Sequence, residues 1–269
     1  MIPAERVAPV LRALGIRGER ITECGQGWDS RALEVDGTWM VLVPREPGIA
    51  RNHLKQARLL PWLAPRLPFA VPRPLLCGGL LVYRKLDGEP NTDWTGLPAA
   101  LRALHDVDLG HAARCCDAGP NLGAWLRHYR GRREEARRIA GTLGALAGPV
   151  EEAFAAFFAG DWSTPATLVH GDLGGEHVLT ADGRLGALID FGDAAIGDPV
   201  QDFTGPYLDS GAERTAELIA EYGRPLPVER LAHYAWLGAL EAVFYGLRTG
   251  DRDELADGLS GLAERLARL

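Results

Sequence analysis

One short segment of the chain carries the residue types that chemistry on phosphate groups requires. Residues 166–193 read ATLVHGDLGGEHVLTADGRLGALIDFGD and include Asp172, His177 and Asp190. A carboxylate orients or deprotonates an attacking hydroxyl group, and further side chains hold the metal ion that neutralises the phosphates. Turn-forming acids with a capping histidine are the simplest structural explanation, and a metal-dependent hydrolase that also uses His170 is another. The complete spacing, H-x-D-x4-H followed by I-D-F-G, favours transfer of a phosphoryl group.

These side chains depend on a predicted β-hairpin for their placement. Two strand-like stretches flank Asp182-Gly183, a dipeptide typical of two-residue hairpin turns. The turn sets a register in which His177 lies opposite Leu188, so that His177 and Asp190 are diagonal neighbours on one face of the hairpin. Diagonal neighbours are about 7–8 Å apart at Cα, and we therefore expect both side chains to converge on one cation.

The remainder of the chain divides into two regions of different character. Residues 1–86 combine strand patterns with helical spacing over 52–64, which predicts a small antiparallel sheet that carries a helix. Residues 87–269 are mainly helical apart from the short β segment described above. We therefore predict an α+β fold with a small β lobe at 1–86 and a larger helical lobe at 87–269. Helical spacing is also found at 4–14, 97–107, 121–146 and 149–159.

Composition and charge exclude several classes of protein. The chain has 269 residues, of which 46% are hydrophobic and 24% charged, as in an ordinary soluble globular protein. It contains no apolar run of membrane-spanning length and no apolar N-terminal signal, which predicts a cytoplasmic protein without a membrane partner and with reduced cysteines. The net charge of −7 argues against a nucleic-acid partner and mildly favours a cationic ligand. We expect a monomer.

Two longer motifs, HGDLGGEHVL and LIDFGDAAIGDP, together resemble the aminoglycoside phosphotransferase family of the kinase-like superfamily. Weaker support comes from GQGWDS, LLPWLAPRLPFAVPRP, LVYRKLDGEP and ALHDV, so the resemblance extends along most of the chain. It implies a two-lobed, protein-kinase-like fold with ATP or GTP bound in a cleft. The implied reaction moves the γ-phosphoryl group to a hydroxyl of a small molecule, with an aminoglycoside or other antibiotic as the leading substrate.

The resemblance also implies roles for individual residues. Asp172 is the implied catalytic base, and His177 and Asp190 are the implied ligands of Mg²⁺. Family members usually carry Asn where this chain has His177, but a histidine there is similar to the 2″-aminoglycoside and macrolide kinases, some of which prefer GTP. Imidazole is a softer ligand than an amide oxygen, so Mn²⁺ is a possible alternative to Mg²⁺. The implied nucleotide contacts are Gly25, Gly27 and Ser30 at the phosphates and the backbone of Arg84 and Leu86 at the base.

Several further polar residues have both a functional and a structural interpretation. Asp193, Asp198 and Glu241 are candidate contacts for a cationic substrate, although ordinary surface acids need no such role. Asp198 stands in the turn sequence Gly-Asp-Pro, which favours a structural role for it and for Asp202. We expect His170 to make a structural hydrogen bond rather than to transfer a proton.

Two positions depart from the family pattern. The cation that usually precedes the end of the third strand is replaced by Leu42 in WMVLVPRE, and its acidic partner on the next helix is replaced by Gln56 in LKQARLL. Losing both charges avoids a single unpaired charge. Arg31, Arg45 and Lys55 are the candidate cations for the phosphates. The same departure supports an alternative function, a kinase-fold nucleotide or small-molecule binding protein with weak or lost catalysis.

Overall fold

The computed structural model of the chain describes residues 4–91 and 93–269, and it has an α+β fold. The earlier elements are α1 (Ala4–Ala13), β1 (Ile21–Gln26), β2 (Ser30–Val35), β3 (Trp39–Pro44), α2 (Ala50–Leu63), β4 (Leu75–Cys77), β5 (Leu80–Arg84), β6 (Glu89–Pro90), α3 (Leu97–His105), α4 (Leu109–Cys115) and α5 (Gly123–Arg138). The later elements are α6 (Ala140–Leu143), α7 (Ala147–Ala159), β7 (Thr167–Val169), β8 (Val178–Ala181), β9 (Arg184–Leu188), β10 (Ala195–Gly197), α8 (Thr204–Tyr222), α9 (Arg230–Thr249) and α10 (Arg252–Leu266).

The chain forms two compact units. The first consists of the described part of 1–107 together with Gly174–Ala194, and the second consists of Asp108–Leu173 together with Ala195–Leu269. Strand β8 enters the first unit because it pairs with β6, and β9 enters it through a parallel bridge between Ala187 and Ala70. These units therefore divide the chain differently from the lobes predicted at 1–86 and 87–269.

The first unit contains an antiparallel sheet with the strand order β1-β2-β3-β5-β4. Successive side chains of a strand point to opposite faces, and on one face Val35, Val41 and Val82 are fully buried. Val7 and Leu11 of helix α1 belong to the same apolar cluster. Burying each such side chain contributes about 1.5–3 kcal/mol, which fixes α1 on this face of the sheet.

The predicted hairpin of β8 and β9 is present, with the expected turn at its tip. Asp182 and Gly183 both adopt left-handed backbone conformations, with φ of 52° and 70°. Two residues of positive φ are what a type I′ turn requires, and such a turn matches the twist of the strands that it joins. Ala181 pairs with Arg184, as the predicted register requires.

Farther from the turn, the predicted register is wrong. Val178, and not His177, pairs with Leu188, because the ladder shifts by one residue at a bulge that contains Gly186. A bulge places two residues of one strand opposite one residue of the other, and the turn sequence carries no sign of it. His177 instead ends a short 3₁₀ turn just before β8, where its carbonyl accepts a hydrogen bond from the backbone N–H of Ile189.

The second unit is mainly helical and is built around buried aromatic side chains. The rings of Trp125 and Tyr129 are 5.2 Å apart, and Tyr129 is 5.1 Å from Phe157, both in edge-to-face contact. The helix predicted over 121–146 is interrupted, since α5 ends at Arg138 and α6 ends before Gly144, which has φ of 57°. Across the described residues, no helix combines the length and apolar character needed to cross a membrane.

Candidate functional site

Asp190 begins a tight turn directly after strand β9. Its backbone is left-handed, with φ of 60° and ψ of 64°, a conformation that costs a residue other than glycine about 1–2 kcal/mol. Its Oδ1 accepts a hydrogen bond from the N–H of Gly192, and the next side chain, Phe191, is fully buried. The turn is therefore anchored by an apolar residue while the carboxylate of Asp190 stays about half exposed.

His177 and Asp190 meet although their predicted register is wrong. Nε2 of His177 lies 3.9 Å from Oδ2 of Asp190, and the imidazole is mostly buried. Nε2 is also 4.0 Å from Oε1 of Glu176. The described side chains do not place three or more His, Cys, Asp or Glu residues where they hold a metal ion together. A cation held by His177 and Asp190 would need its remaining ligands from water or from a bound molecule, as Mg²⁺ commonly has at phosphate sites.

Helix α2 packs against the turn that Asp190 begins. Nζ of Lys55 donates a hydrogen bond of 2.7 Å to the carbonyl oxygen of Gly192. Gln56 is buried, and its Nε2 lies 3.9 Å from the position that a Cβ on Gly192 would occupy. Leu42, on β3, pairs with residues of β2 and β5. The neutral amide of Gln56 therefore lies beside the turn of the candidate metal ligand.

The connection between β1 and β2 is held by polar contacts from later residues. Nε of Arg45 donates to the carbonyl of Gly27 at 2.8 Å, and the side chain of Asn52 donates to Asp29 at 2.8 Å. Gly25 lies within β1, where it pairs with Ala32, so Gly27 is the predicted glycine that stands in the connection itself. These contacts give the glycine-containing loop a fixed base.

The side chain of Ser30 forms a hydrogen bond with His53, a residue that the sequence motifs do not point to. Nδ1 of His53 lies 3.2 Å from the carbonyl of Gly79, an acceptor only, and Nε2 lies 2.9 Å from Oγ of Ser30. Burial lowers the pKa of His53, so the ring is neutral near pH 7. Its Nε2 then accepts a hydrogen bond from the hydroxyl group of Ser30. Ser30 therefore offers lone pairs, rather than its proton, to other groups in this conformation.

Arg84 and Leu86, the residues predicted to contact the base, flank a backbone N–H group that is already paired. The N–H of Lys85 donates to the carbonyl of Thr38 at 2.8 Å. Because successive backbone groups of a strand point to opposite sides, those of Arg84, the last residue of β5, point away from β3. The Arg84 guanidinium lies 4.6 Å from the centre of the Trp39 ring. The backbone contacts of Arg84 and Leu86 to a base stay a prediction.

In the second unit, the loop after β7 carries Asp172 on a fixed backbone. The N–H groups of His170 and Gly171 donate to the two carboxylate oxygens of Asp202, each at 2.9 Å, and Gln201 donates to the carbonyl of Gly171 at 2.7 Å. Gly171 has φ of 89°, which other residues adopt only with strain. His170 is fully buried, in agreement with a structural role, whereas Asp172 is exposed.

Asp202 has a structural role, as its place after the Gly-Asp-Pro turn predicts, but the sequence does not show that it holds the backbone before Asp172. Replacing it with asparagine keeps its size but turns one acceptor into a donor, which then faces a backbone N–H. We expect Asp202→Asn to lower the free energy of unfolding by about 1–3 kcal/mol and to reduce turnover severalfold. Chemical denaturation and initial rates measure these effects. Asp257→Asn, at an exposed acid of α10, is the matched control, and equal stability of the two variants would contradict this role.

The three acids proposed for a cationic substrate have different surroundings. The carboxylate of Asp198 is fully buried and accepts hydrogen bonds from Arg230 at 2.9 Å and from Tyr234 at 2.8 Å. Its candidate role as a substrate contact is not supported, because a buried and paired carboxylate is inaccessible to a substrate. Glu241 is partly exposed and lies 2.7 Å from Nε of Arg132. Asp193 is exposed, and it stays a predicted contact together with Glu241.

Comparison with known proteins yields one family and several similar structures. The model of a family described as a phosphotransferase enzyme family matches residues 20–237. Viomycin phosphotransferase from Streptomyces vinaceus is 39% identical over 102 residues, so the chain matches only 36% of that curated relative and the match covers 36% of this chain.

Two solved structures show the same fold. The GDP and kanamycin complex of APH(2″)-IIIa has a TM-score of 0.82 at 21% identity and covers 97% of this chain and 98% of that chain. The macrolide 2′-phosphotransferase MphH from Brachybacterium faecium, as apoenzyme, has a TM-score of 0.71 at 24% identity and covers 97% and 98%. The predicted protein-kinase-like α+β fold, with an antiparallel β region and a larger helical region, is confirmed.

Proposed function

The chain belongs to the phosphotransferase enzyme family, and on that premise we propose that it moves the γ-phosphoryl group of ATP or GTP to a hydroxyl group of a small molecule. The membership confirms the resemblance drawn from the HGDLGGEHVL and LIDFGDAAIGDP motifs. The observation that carries the proposal is the exposed carboxylate of Asp172 on a loop whose backbone is fixed by Asp202. A carboxylate held in this way can orient an acceptor hydroxyl group and accept its proton.

We assign the metal site of the proposed enzyme to His177 and Asp190. Their donor atoms, an imidazole nitrogen and a carboxylate oxygen 3.9 Å apart, fit a shared divalent cation. Mg²⁺, or Mn²⁺ in its place, supplies neutralisation of phosphate charge when bound. The backbone of His177, just before β8, accepts a hydrogen bond from the N–H of Ile189, and Asp190 accepts one from the N–H of Gly192, so contacts within the chain hold both residues.

The proposed nucleotide contacts lie in the first unit. Gly27 stands in the loop that Arg45 and Asn52 hold, where backbone N–H groups can approach phosphate oxygens closely. Gly25 lies within β1, where it pairs with Ala32, and is proposed as a second backbone contact to the phosphates. Arg84, at the end of β5, offers backbone groups that point away from β3, and Leu86 is assigned to the base contact with it. Ser30 can donate a hydrogen bond to a phosphate oxygen only if its hydroxyl group gives up the hydrogen bond to His53.

For the acceptor, we propose an antibiotic, with an aminoglycoside as the leading class. The curated relative is named a viomycin phosphotransferase. The two similar structures are a kanamycin complex and a macrolide 2′-phosphotransferase, so each of the three names points to an antibiotic. The net charge of −7 and the exposed acid Asp193 favour a cationic acceptor. We further propose that the enzyme acts as a monomer in the cytoplasm, where ATP and GTP are available.

Turnover with a panel of acceptors tests this function. The purified protein is incubated with ATP or GTP, Mg²⁺ and one aminoglycoside, macrolide or peptide antibiotic at a time, and nucleoside diphosphate release and phosphorylated acceptor are both measured. Acceptor-dependent release together with a phosphorylated product supports the proposal. Nucleotide binding without phosphorylation of any acceptor would favour the alternative below.

The alternative is a binding protein with weak or lost catalysis, and the neutral residues Leu42 and Gln56 favour it. Thermal stabilisation by nucleotide, measured with and without Mg²⁺, detects binding in either case. Only the kinase turns the nucleotide over when an acceptor is supplied. The two functions therefore separate in the comparison of binding with turnover.

A double-mutant cycle at these two positions tests the N-terminal register. Leu42→Lys alone adds an ammonium group without its usual partner, and Gln56→Glu alone adds a carboxylate that repels phosphates. We expect each single change to be neutral or harmful for nucleotide binding, and the double change to exceed the sum with a coupling of about 1 kcal/mol or more. Calorimetric titration measures the four affinities. Additive effects would mean that positions 42 and 56 do not face each other.

A further inference from the structure

We infer that Lys55, on helix α2, is the cation that binds the phosphates of the nucleotide in this enzyme. It replaces a strand cation that the family pattern would place at Leu42. The inference rests on the proposed function, since it names a further residue of the same site. The sequence leaves Arg31, Arg45 and Lys55 as candidates for binding the phosphates, and the inference selects the one on helix α2.

The position of Lys55 relative to the candidate metal ligand carries the inference. Its Nζ is 2.7 Å from the carbonyl oxygen of Gly192, which lies two residues after Asp190 in the same tight turn. Helix α2 packs against this turn, so the ammonium group is held beside it by packing as well as by the hydrogen bond. A metal ion held by Asp190 would neutralise phosphate charge at this turn. Lys55 is thus beside the place where phosphate charge is expected.

The other two candidate cations have tasks elsewhere in the first unit. Arg31 donates two hydrogen bonds to Glu23, at 3.1 Å and 2.6 Å, so that a carboxylate neutralises its charge. Arg45 donates through Nε to the carbonyl of Gly27 and holds the loop from its base. Lys85, the second lysine of the chain, forms an ion pair with Glu34. Arg31 and Lys85 are thus paired with carboxylates. Lys55 and Arg45 each donate to a carbonyl oxygen, and Lys55 is the one that does so in the turn of Asp190.

The chemistry of lysine suits this position. An ammonium group has three N–H donors on a flexible four-carbon stem, so it can donate to the Gly192 carbonyl and also reach a phosphate oxygen. The neighbouring Gln56 is neutral. A carboxylate at that position would attract the Lys55 ammonium and repel the phosphates, whereas an amide does neither. A neutral residue at position 56 is therefore expected if Lys55 is the cation that binds the phosphates.

The test compares ligands that differ only in their phosphates. Calorimetric titration with ATP, ADP and adenosine, and with GTP, GDP and guanosine, is made with Mg²⁺ on the wild type and on Lys55→Met, Lys55→Arg and Lys85→Met. We expect Lys55→Met to weaken binding of the di- and triphosphates about tenfold or more and to leave nucleoside binding unchanged. Lys55→Arg should keep most of the affinity. Lys85→Met, the matched control, should bind as the wild type does.

Several results would overturn the inference. A Lys55→Met protein that binds every phosphorylated ligand as the wild type does would exclude the role. Equal weakening for nucleosides and nucleotides would show a general loss of structure, and a loss that disappears when the titrations are made with EDTA would show that Lys55 acts only through the turn of Asp190. A phosphate-dependent loss in Arg45→Met but not in Lys55→Met would give the task to Arg45. If Lys55→Met fails to fold, Lys55→Gln takes its place in the same comparison. A wild type that binds no nucleotide would instead contradict the proposed function.

Discussion

Replacing Asp172 with alanine is expected to lower turnover by at least about 10²-fold while nucleotide affinity hardly changes. The carboxylate acts on the acceptor hydroxyl group, so its loss removes proton acceptance and orientation but no contact with the nucleotide. The loop itself should survive, because its backbone is held by Asp202 and Gln201 and not by the Asp172 side chain. Acceptor-dependent initial rates and calorimetric titration with nucleotide measure the two quantities.

The control for this variant must remove a negative charge from another aspartate that, like Asp172, is exposed. Asp257→Ala does so at an exposed acid of α10, and we expect it to keep wild-type turnover. Unfolding midpoints of the two variants show whether either change has affected folding. Near-normal turnover in Asp172→Ala would remove Asp172 from the role of base, whatever the effect on nucleotide binding.

The second large effect is expected at Asp190. Asp190→Asn should weaken Mg²⁺-dependent nucleotide binding on the order of 10²-fold, because one unit of negative charge next to the cation is lost. Asparagine is the right replacement, since it tolerates the left-handed conformation at φ 60° and its carbonyl oxygen can still accept the N–H of Gly192. The turn is therefore kept while the charge is removed. Titrations with Mg²⁺ and with EDTA give the metal-dependent part of the affinity.

His177→Asn is the informative companion of this variant. It exchanges an imidazole nitrogen for the amide oxygen that is common in the family at this position, so we expect Mg²⁺-dependent binding to be retained. Support by Mn²⁺ should decrease relative to Mg²⁺, because the softer ligand is gone. A His177→Asn protein that loses all dependence on metal would argue against a cation shared by His177 and Asp190.

Local sequence was sufficient to predict the hairpin that carries these ligands but not its register. The turn at Asp182-Gly183 follows from two residues that accept positive φ at low cost. The bulge at Gly186 arises where β9 pairs with β8 on one side and meets Ala70 on the other, more than a hundred residues earlier in the chain. No pattern within the hairpin encodes that neighbour. The convergence of His177 and Asp190 was anticipated, whereas the backbone path to it was not.

The same limit applies to the residues that hold the site from a distance. Asp202 fixes the backbone of His170 and Gly171 from 31–32 residues away, and Lys55 reaches Gly192 across 137 residues. Side chains that bind backbone groups require only an acceptor or a donor, so the sequence of the loop does not identify its partner. The sequence therefore predicts the residues that belong to the phosphotransferase motifs, but it does not show which distant side chains hold those motifs in place.

The bulge at Gly186 makes the length of the hairpin matter as much as its composition. Side chains alternate between two faces with a period of two, so one residue more or less between the turn and the end of β9 exchanges those faces. Substitutions at the exposed positions near the turn preserve this parity, whereas deletion of a single residue inverts it. His177 and Asp190 lie just outside β8 and β9, so the bulge sets how far the two strand ends next to them are offset along the hairpin.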